Sequence, residues 1–145
     1  MIIFLTGTAA DTANDLDNKR LNRQIQECGW LINMVEGIGK WKNHPCNFMY
    51  KDHIDWVKKY RDCLVAYKNK DYDLCKQLST EAENIKPDFI NEDLYTNFKK
   101  RLYTKDPIKY ERWKHLGTSD ANYYFIDNKW WKYENSKKEI VDNIK

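Results

Sequence analysis

Four polar side chains with chemical potential, Arg20, Arg23, Gln24 and Glu27, fall within one stretch, LDNKRLNRQIQECGWLINMV at 16–35. On a helix turning roughly 100° per residue, Asn18, Lys19, Asn22, Gln26, Gly29 and Asn33 collect on one side, with no large apolar residue among them. The opposite arc carries Leu16, Leu21, Ile25, Cys28, Leu31, Ile32, Met34 and Val35, a wide stripe suited to a core. The four polar residues are nested inside that arc. An unpaired charge buried there costs several kcal/mol, so these groups must pair or line a cavity. Arg23 and Glu27 are four apart and can neutralise each other as a purely structural pair. The alternative is a polar pocket on a rigid element, with Glu27 as acid/base or charge-stabilising group and Arg20 and Arg23 as anion holders. Apolar residues before and after the charges favour the pocket, in which Arg20, Arg23 and Glu27 should be partly buried around a common cleft.

Other residues could act on the same partner. His44 precedes Pro45 and can cap a helix or carry a proton. A basic cluster, Lys99, Lys100, Arg101, Lys105, Lys109, Arg112 and Lys114, surrounds Asp106-Pro107 beside Tyr103, Tyr110 and Trp113. Cations interleaved with aromatic rings suit a groove that follows a nucleic-acid backbone, although such a run also serves as a plain solvated face. Trp130, Trp131 and Tyr133 can stack on nucleotides or close the core. His53 and His115 have no carboxylate at ligand spacing, so no metal is expected. Cys28, Cys46, Cys63 and Cys75 lack C-x-x-C spacing and read as reduced, buried thiols.

The elements that position these groups are mainly helical. Asp11 or Thr12 can cap a first helix running to about Val35, where Gly37 and Gly39 stop it. Pro45 to about Lys68 steps its apolar positions by threes and fours, predicting one long amphipathic helix. A shorter helix follows from Tyr72 to about Glu83, then a loop at IKPDF. Asn91 caps a helix carrying Leu94, Phe98 and Leu102, whose exposed side holds Lys99, Lys100, Arg101 and Lys105, and Asp106-Pro107 restarts a short one. After Gly117 the pattern turns β-branched and aromatic. NYYFIDNKWWKY at 122–133 has Asp127-Asn128 at its centre, the signature of a short hairpin or paired extended segment. The last residues, 134–145, read as a polar helix or frayed tail. The expectation is a mainly α fold: one domain over 1–145, its apolar start at 1–10 packed on the helices and a short C-terminal hairpin.

Composition limits the classes further. The 145 residues are 41% hydrophobic and 32% charged with a net charge of +3, which permits a nucleic-acid partner without requiring one. The aromatic share of 14%, with six Trp and ten Tyr, is high enough to supply both core and stacking surfaces. MIIFL is too short for a signal peptide and nothing is long enough to span a membrane, so an intracellular protein without a membrane partner is expected. Abundant Lys and Asn fit an A·T-rich genome, such as that of a virus.

LDNKRLNRQ followed by Glu27, NHP at 43–45 leading into an aromatic helix, and KRLYTKDPIKYERW downstream together resemble the pyrimidine-dimer DNA glycosylase family of the phage endonuclease V type, in particular its small relatives that open on a short apolar segment. The resemblance covers about residues 1–133. It implies a compact, mostly α-helical enzyme acting on double-stranded DNA with a damaged or modified base, which it flips from the stack. It also implies that an N-terminal α-amine attacks the sugar C1′, displaces the base and forms a Schiff base, with β-elimination then nicking the strand. Glu27 matches the glutamate acting beside that amine, and Arg20 and Arg23 stand where phosphate-holding residues are useful. Ile2 discourages removal of the initiator, leaving the amine to Met1. An unperturbed α-amine has a pKa near 8, so a useful fraction is nucleophilic at neutral pH. No cofactor is implied, and a monomer is expected. Two alternatives stay open: a base-modifying transferase or hydrolase on this scaffold, and a DNA-binding protein without catalysis.

Overall fold

The computed structural model describes residues 3–38 and 43–144. The chain forms two compact units, Met1–Asp88 and Phe89–Lys145. The fold is mainly α, with a small antiparallel sheet near the C-terminus.

The first unit holds α1 (Ala9–Asp15), α2 (Asn18–Val35), α3 (Pro45–Tyr50), α4 (Ile54–Lys68) and α5 (Tyr72–Asn84). The single helix expected from Asp11 to Val35 is divided. Thr8, not Asp11 or Thr12, caps α1 through a capping box in which Thr8 and Asp11 exchange side-chain and backbone bonds. Leu16 is extended, at φ −73° and ψ 135°, and Asp17 starts α2. Asn14, Asp15, Asp17 and Asn18, all weak helix formers, flank this break, and Leu16 turns into the core there. At the other end of α2, Gly37 takes φ +82°, with Ile38 N–H on Asn33 O and Gly37 N–H on Met34 O, a Schellman stop. Gly39, the second expected stop, lies outside the described residues.

The long helix expected from Pro45 to Lys68 is also two, broken at 51–53. The break changes what packs. Tyr50 and Trp56, six apart, would point roughly 120° away from each other on one helix. Across the break their rings stack at 5.7 Å and 12°, and Tyr60 continues the stack on Trp56 at 5.2 Å. Aromatic packing thus overrides an unbroken helical period. Trp56, Val57, Tyr60, Cys63 and Leu64 are buried on α4, which packs against α1, α2 and α5 at the centre of the unit.

In the second unit, Asn91 caps α6 (Glu92–Lys105) by accepting from Leu94 N–H. A 3₁₀ turn over Glu111–Leu116 stands where a short helix was expected. Strands β1 (Asn122–Ile126), β2 (Lys129–Glu134) and β3 (Lys137–Val141) follow as an antiparallel meander in the order β1-β2-β3. Asp127 and Asn128 at φ 55° and 61° make the predicted two-residue turn. Asn135 and Ser136, at φ 52° and 63°, make another, so the expected polar tail is a third strand instead. Its pairing with β2 fixes it, because KKEIV has no alternation of its own.

Candidate active site on the second helix

Gln24 is the hub of the first unit's polar groups. It is 2% exposed, and its Oε1 accepts from the backbone N–H of Phe4. The Tyr60 hydroxyl donates to Phe4 O at 2.6 Å and lies 3.3 Å from the same Gln24 oxygen. Gln24 Nε2 in turn points at Glu27 Oε2, at 3.5 Å. One amide therefore joins the N-terminal segment, a buried tyrosine and the carboxylate. With Ile3 and Leu5 each 1% exposed, the segment from Ile3 to Leu5 is held by apolar burial on either side and by both backbone groups of Phe4 between.

Glu27 has a side chain 12% exposed. Its carboxylate borders Cys28, Cys46 and Tyr60 and adds to the upward shift that burial imposes on all three. Burial is the larger cause throughout, pushing the Cys46 thiol up to about 12. These thiols and the phenol therefore stay protonated at neutral pH.

The expected trio is only partly assembled. Arg23 Nε lies 3.4 Å from Glu27 Oε1, so the two pair, but the Arg23 side chain is 59% exposed, at odds with the expected partial burial. It lies roughly 100° from Gln24 around the helix, at the margin of the apolar stripe, and its guanidinium rests 4.8 Å over Trp30. Arg23 also borders a shallow hollow with Lys19, Asn22 and Gln26. Arg20 turns instead to Asp17 at 3.0 Å, at the start of α2. His44 caps α3, with Nδ1 accepting from Cys46 N–H at 3.1 Å. That bond places the neutral ring's proton on Nε2, and burial lowers the His44 pKa, favouring the neutral form. Met1, the expected amine, lies outside the described residues.

The second unit holds the remaining candidates. Lys105 and Arg112 are exposed and Lys100 half-buried. Arg101 is not on the exposed side of α6: it is 8% exposed, and burial lowers its pKa against the opposing influence of Tyr124 and Asp120. The reason is periodic, since Arg101 follows Leu94 by seven and Phe98 by three on the helix's buried stripe. Arg112 lies 4.2 Å over Trp113, which stacks on Tyr110 at 5.3 Å and 6°. Trp130 and Trp131, being consecutive in β2, face opposite sides of the sheet. Trp130 packs against Phe125 at 5.1 Å and Phe89 at 6.5 Å, whereas Trp131 stands opposite Tyr124 and Ile140. They cannot form one stacking surface.

The model of the pyrimidine dimer DNA glycosylase family matches residues 1–73, which run from the apolar start through α4 to the opening of α5. The chain belongs to that family. No curated protein and no solved structure matches it. Family membership makes it a DNA glycosylase, an enzyme with DNA as substrate. The match includes Glu27, Gln24, Tyr60 and His44, and ends before the basic segment of the second unit.

Spacing alone sets Gln24 inside the apolar arc without giving it a role, and Tyr60 falls on the inward-facing steps of the stretch from Pro45 to Lys68. The available signal was the amide's burial position one turn before Glu27. Tyr60 gave none, because its partner is a backbone carbonyl far away in sequence. Among the described residues, no three His, Cys, Asp or Glu side chains are placed to hold a metal ion. No helix there is long and apolar enough to cross a membrane.

Proposed function

We propose that this protein releases a damaged or modified pyrimidine from double-stranded DNA, with Glu27 stabilising cationic character on the sugar as the glycosidic bond breaks. The observation that carries the reading is the bond network from Phe4 through Gln24 to Glu27, which supports a carboxylate kept near the N-terminal segment in the family-matched part of the chain. An oriented carboxylate there can stabilise an oxocarbenium-like transition state and relay a proton.

The lyase step rests on the same network. An α-amine two residues before Ile3 is the proposed nucleophile, attacking C1′, forming a Schiff base after the base departs and allowing β-elimination to nick the strand. Anchoring of Ile3 to Leu5 supports it, because a mobile amine would lose the advantage of intramolecular positioning. Arg23, open to solvent beside the carboxylate, is the proposed phosphate contact on this helix. His44, Arg20, Lys100, Lys105 and Arg112 are proposed to help position the duplex.

The test is Glu27→Gln, which keeps size and hydrogen bonding while removing charge. Turnover on duplexes carrying pyrimidine lesions should fall at least about tenfold, roughly 1.4 kcal/mol of transition-state stabilisation, with DNA affinity near wild type. Borohydride should trap a covalent adduct with the unextended chain and not with one extended at its N-terminus. Trapping by the extended chain assigns the nucleophile to a lysine. No trapping by either, with Glu27 still essential, favours base modification without a Schiff base.

A further inference from the structure

Ile108 is 89% exposed, against 62% for Ile38, and no other exposed large apolar side chain among the described residues exceeds the latter. It stands at the tip of a turn that begins at Pro107, whose ring fixes one backbone angle. Asp106 braces the turn from behind: its Oδ1 accepts from Lys109 N–H at 3.2 Å and its carbonyl from Tyr110 N–H at 3.1 Å. Tyr110, 1% exposed and stacked on Trp113, anchors the following residues. The isoleucine is thus held out on a stiff base, and its β-branched side chain has little rotamer freedom to lose.

The surroundings are cationic. Lys105, Lys109, Arg112 and Lys114 are all exposed along this short segment, against the acidic Asp106 and Glu111. Cations in this density draw phosphates towards the turn. A lone exposed isoleucine is ordinary on a protein surface. One raised on a braced turn among cations is matched to a partner that is anionic outside and apolar within, and stacked base pairs have that character.

We propose that Ile108 is a wedge that enters the base stack of duplex DNA, partly unstacking one step while the flanking cations hold the phosphates. Apolar side chains inserted between base steps kink a duplex and separate neighbouring bases. This rests on the glycosylase reading: the wedge lowers the barrier to exposing a base for chemistry, and it is a positioning residue. Tip chemistry matters here, because a charged side chain would gain nothing between bases, whereas an apolar one leaves water.

A short undamaged duplex carrying 2-aminopurine, whose fluorescence rises on unstacking, tests this directly alongside a base-release assay. Saturating wild-type protein should raise the fluorescence. Ile108→Ala should lose most of that rise while Kd changes by less than about threefold and the salt dependence stays the same, since every cation facing the phosphates is retained. Ile108→Phe should restore it. Base release from fully paired duplex should slow by about tenfold in Ile108→Ala and recover when the target is left unpaired in a bulge, an outcome that a merely structural role would not give. An equal fluorescence rise in wild type and Ile108→Ala overturns the wedge. So does a bound wild type with no rise, and base release by that protein would then leave the glycosylase reading intact. Absence of both duplex binding and base release overturns the two together.

Discussion

The two units use their charged and polar groups in opposite ways. In the first, polar groups mostly satisfy each other: Gln24 with Phe4, Tyr60 with Phe4, Arg20 with Asp17 and Glu27 with Arg23 and Gln24. In the second, apart from the buried Arg101, several cations are exposed, Lys105 and Lys109 among them, and Arg112 and Lys99 rest over Trp113. The first pattern fixes the position of a carboxylate, which catalysis needs. The second sets positive charge at the surface, where a polyanion can meet it. A family match that stops at residue 73 falls on the first pattern alone.

Substitutions should therefore divide by unit, and Gln24→Leu gives the largest separation. It leaves the Phe4 N–H buried without its acceptor, which costs about 1–3 kcal/mol. Urea unfolding should show that loss, and turnover should fall with it as the N-terminal segment loosens. Unchanged stability would mean that the network does not hold the segment.

Neutralising Lys105 and Lys109 together to Gln should act the other way. The slope of log K against log salt should drop by roughly 0.9 for each phosphate that is no longer neutralised, while stability stays within about 0.5 kcal/mol of wild type. Titrations at several salt concentrations decide it. A preserved slope would move the duplex-binding surface off this segment and erase the contrast between the units. Arg101 is unsuited to this test, since reversing its charge would bury an unmatched carboxylate.

A smaller effect is expected from acid. The folded-state pKa of His44 lies below its usual 6.5, so the unfolded chain binds that proton more readily. Its contribution to stability is present above pH 6.5 and is lost as pH falls from there through the folded pKa. Asn is also a good N-cap, so His44→Asn should retain α3 and flatten the pH dependence in that window. Parallel thermal melts of the two proteins measure this.

The smallest effect belongs to Lys70, which ends α4 at φ 61° with Asp71 N–H on Ala66 O and Lys70 N–H on Tyr67 O. Glycine tolerates this left-handed position, so Lys70→Gly should stabilise the protein by up to about 1 kcal/mol. Activity should not change, sharpening the distinction between stability and chemistry within one unit.

How much was legible in the sequence follows from the range of the forces involved. Local signals carried through: the Gly37 stop, the Asn91 cap, the Pro45 start and the Asp127-Asn128 turn each depend on neighbours a few residues away. So did the placement of Glu27 within the apolar arc, which is set by helical period alone. Arg101 was legible too, since Leu94 and Phe98 mark its stripe. Residue type misled there, because a guanidinium was expected to seek water.

Tertiary structure alone decided the rest. The breaks at Leu16 and at 51–53 contain neither proline nor glycine, and they arise where turning the chain buries Leu16 and stacks Tyr50 on Trp56. β3 exists because β2 offers it a hydrogen-bonding edge. Tyr60 joins the candidate site by reaching a carbonyl 56 residues earlier in the chain. A single sequence determines periods, caps and turns because their energies are local. Which polar group meets which distant partner is set by the collapse of the whole unit, where burial of apolar surface outweighs the helical preference of any one segment.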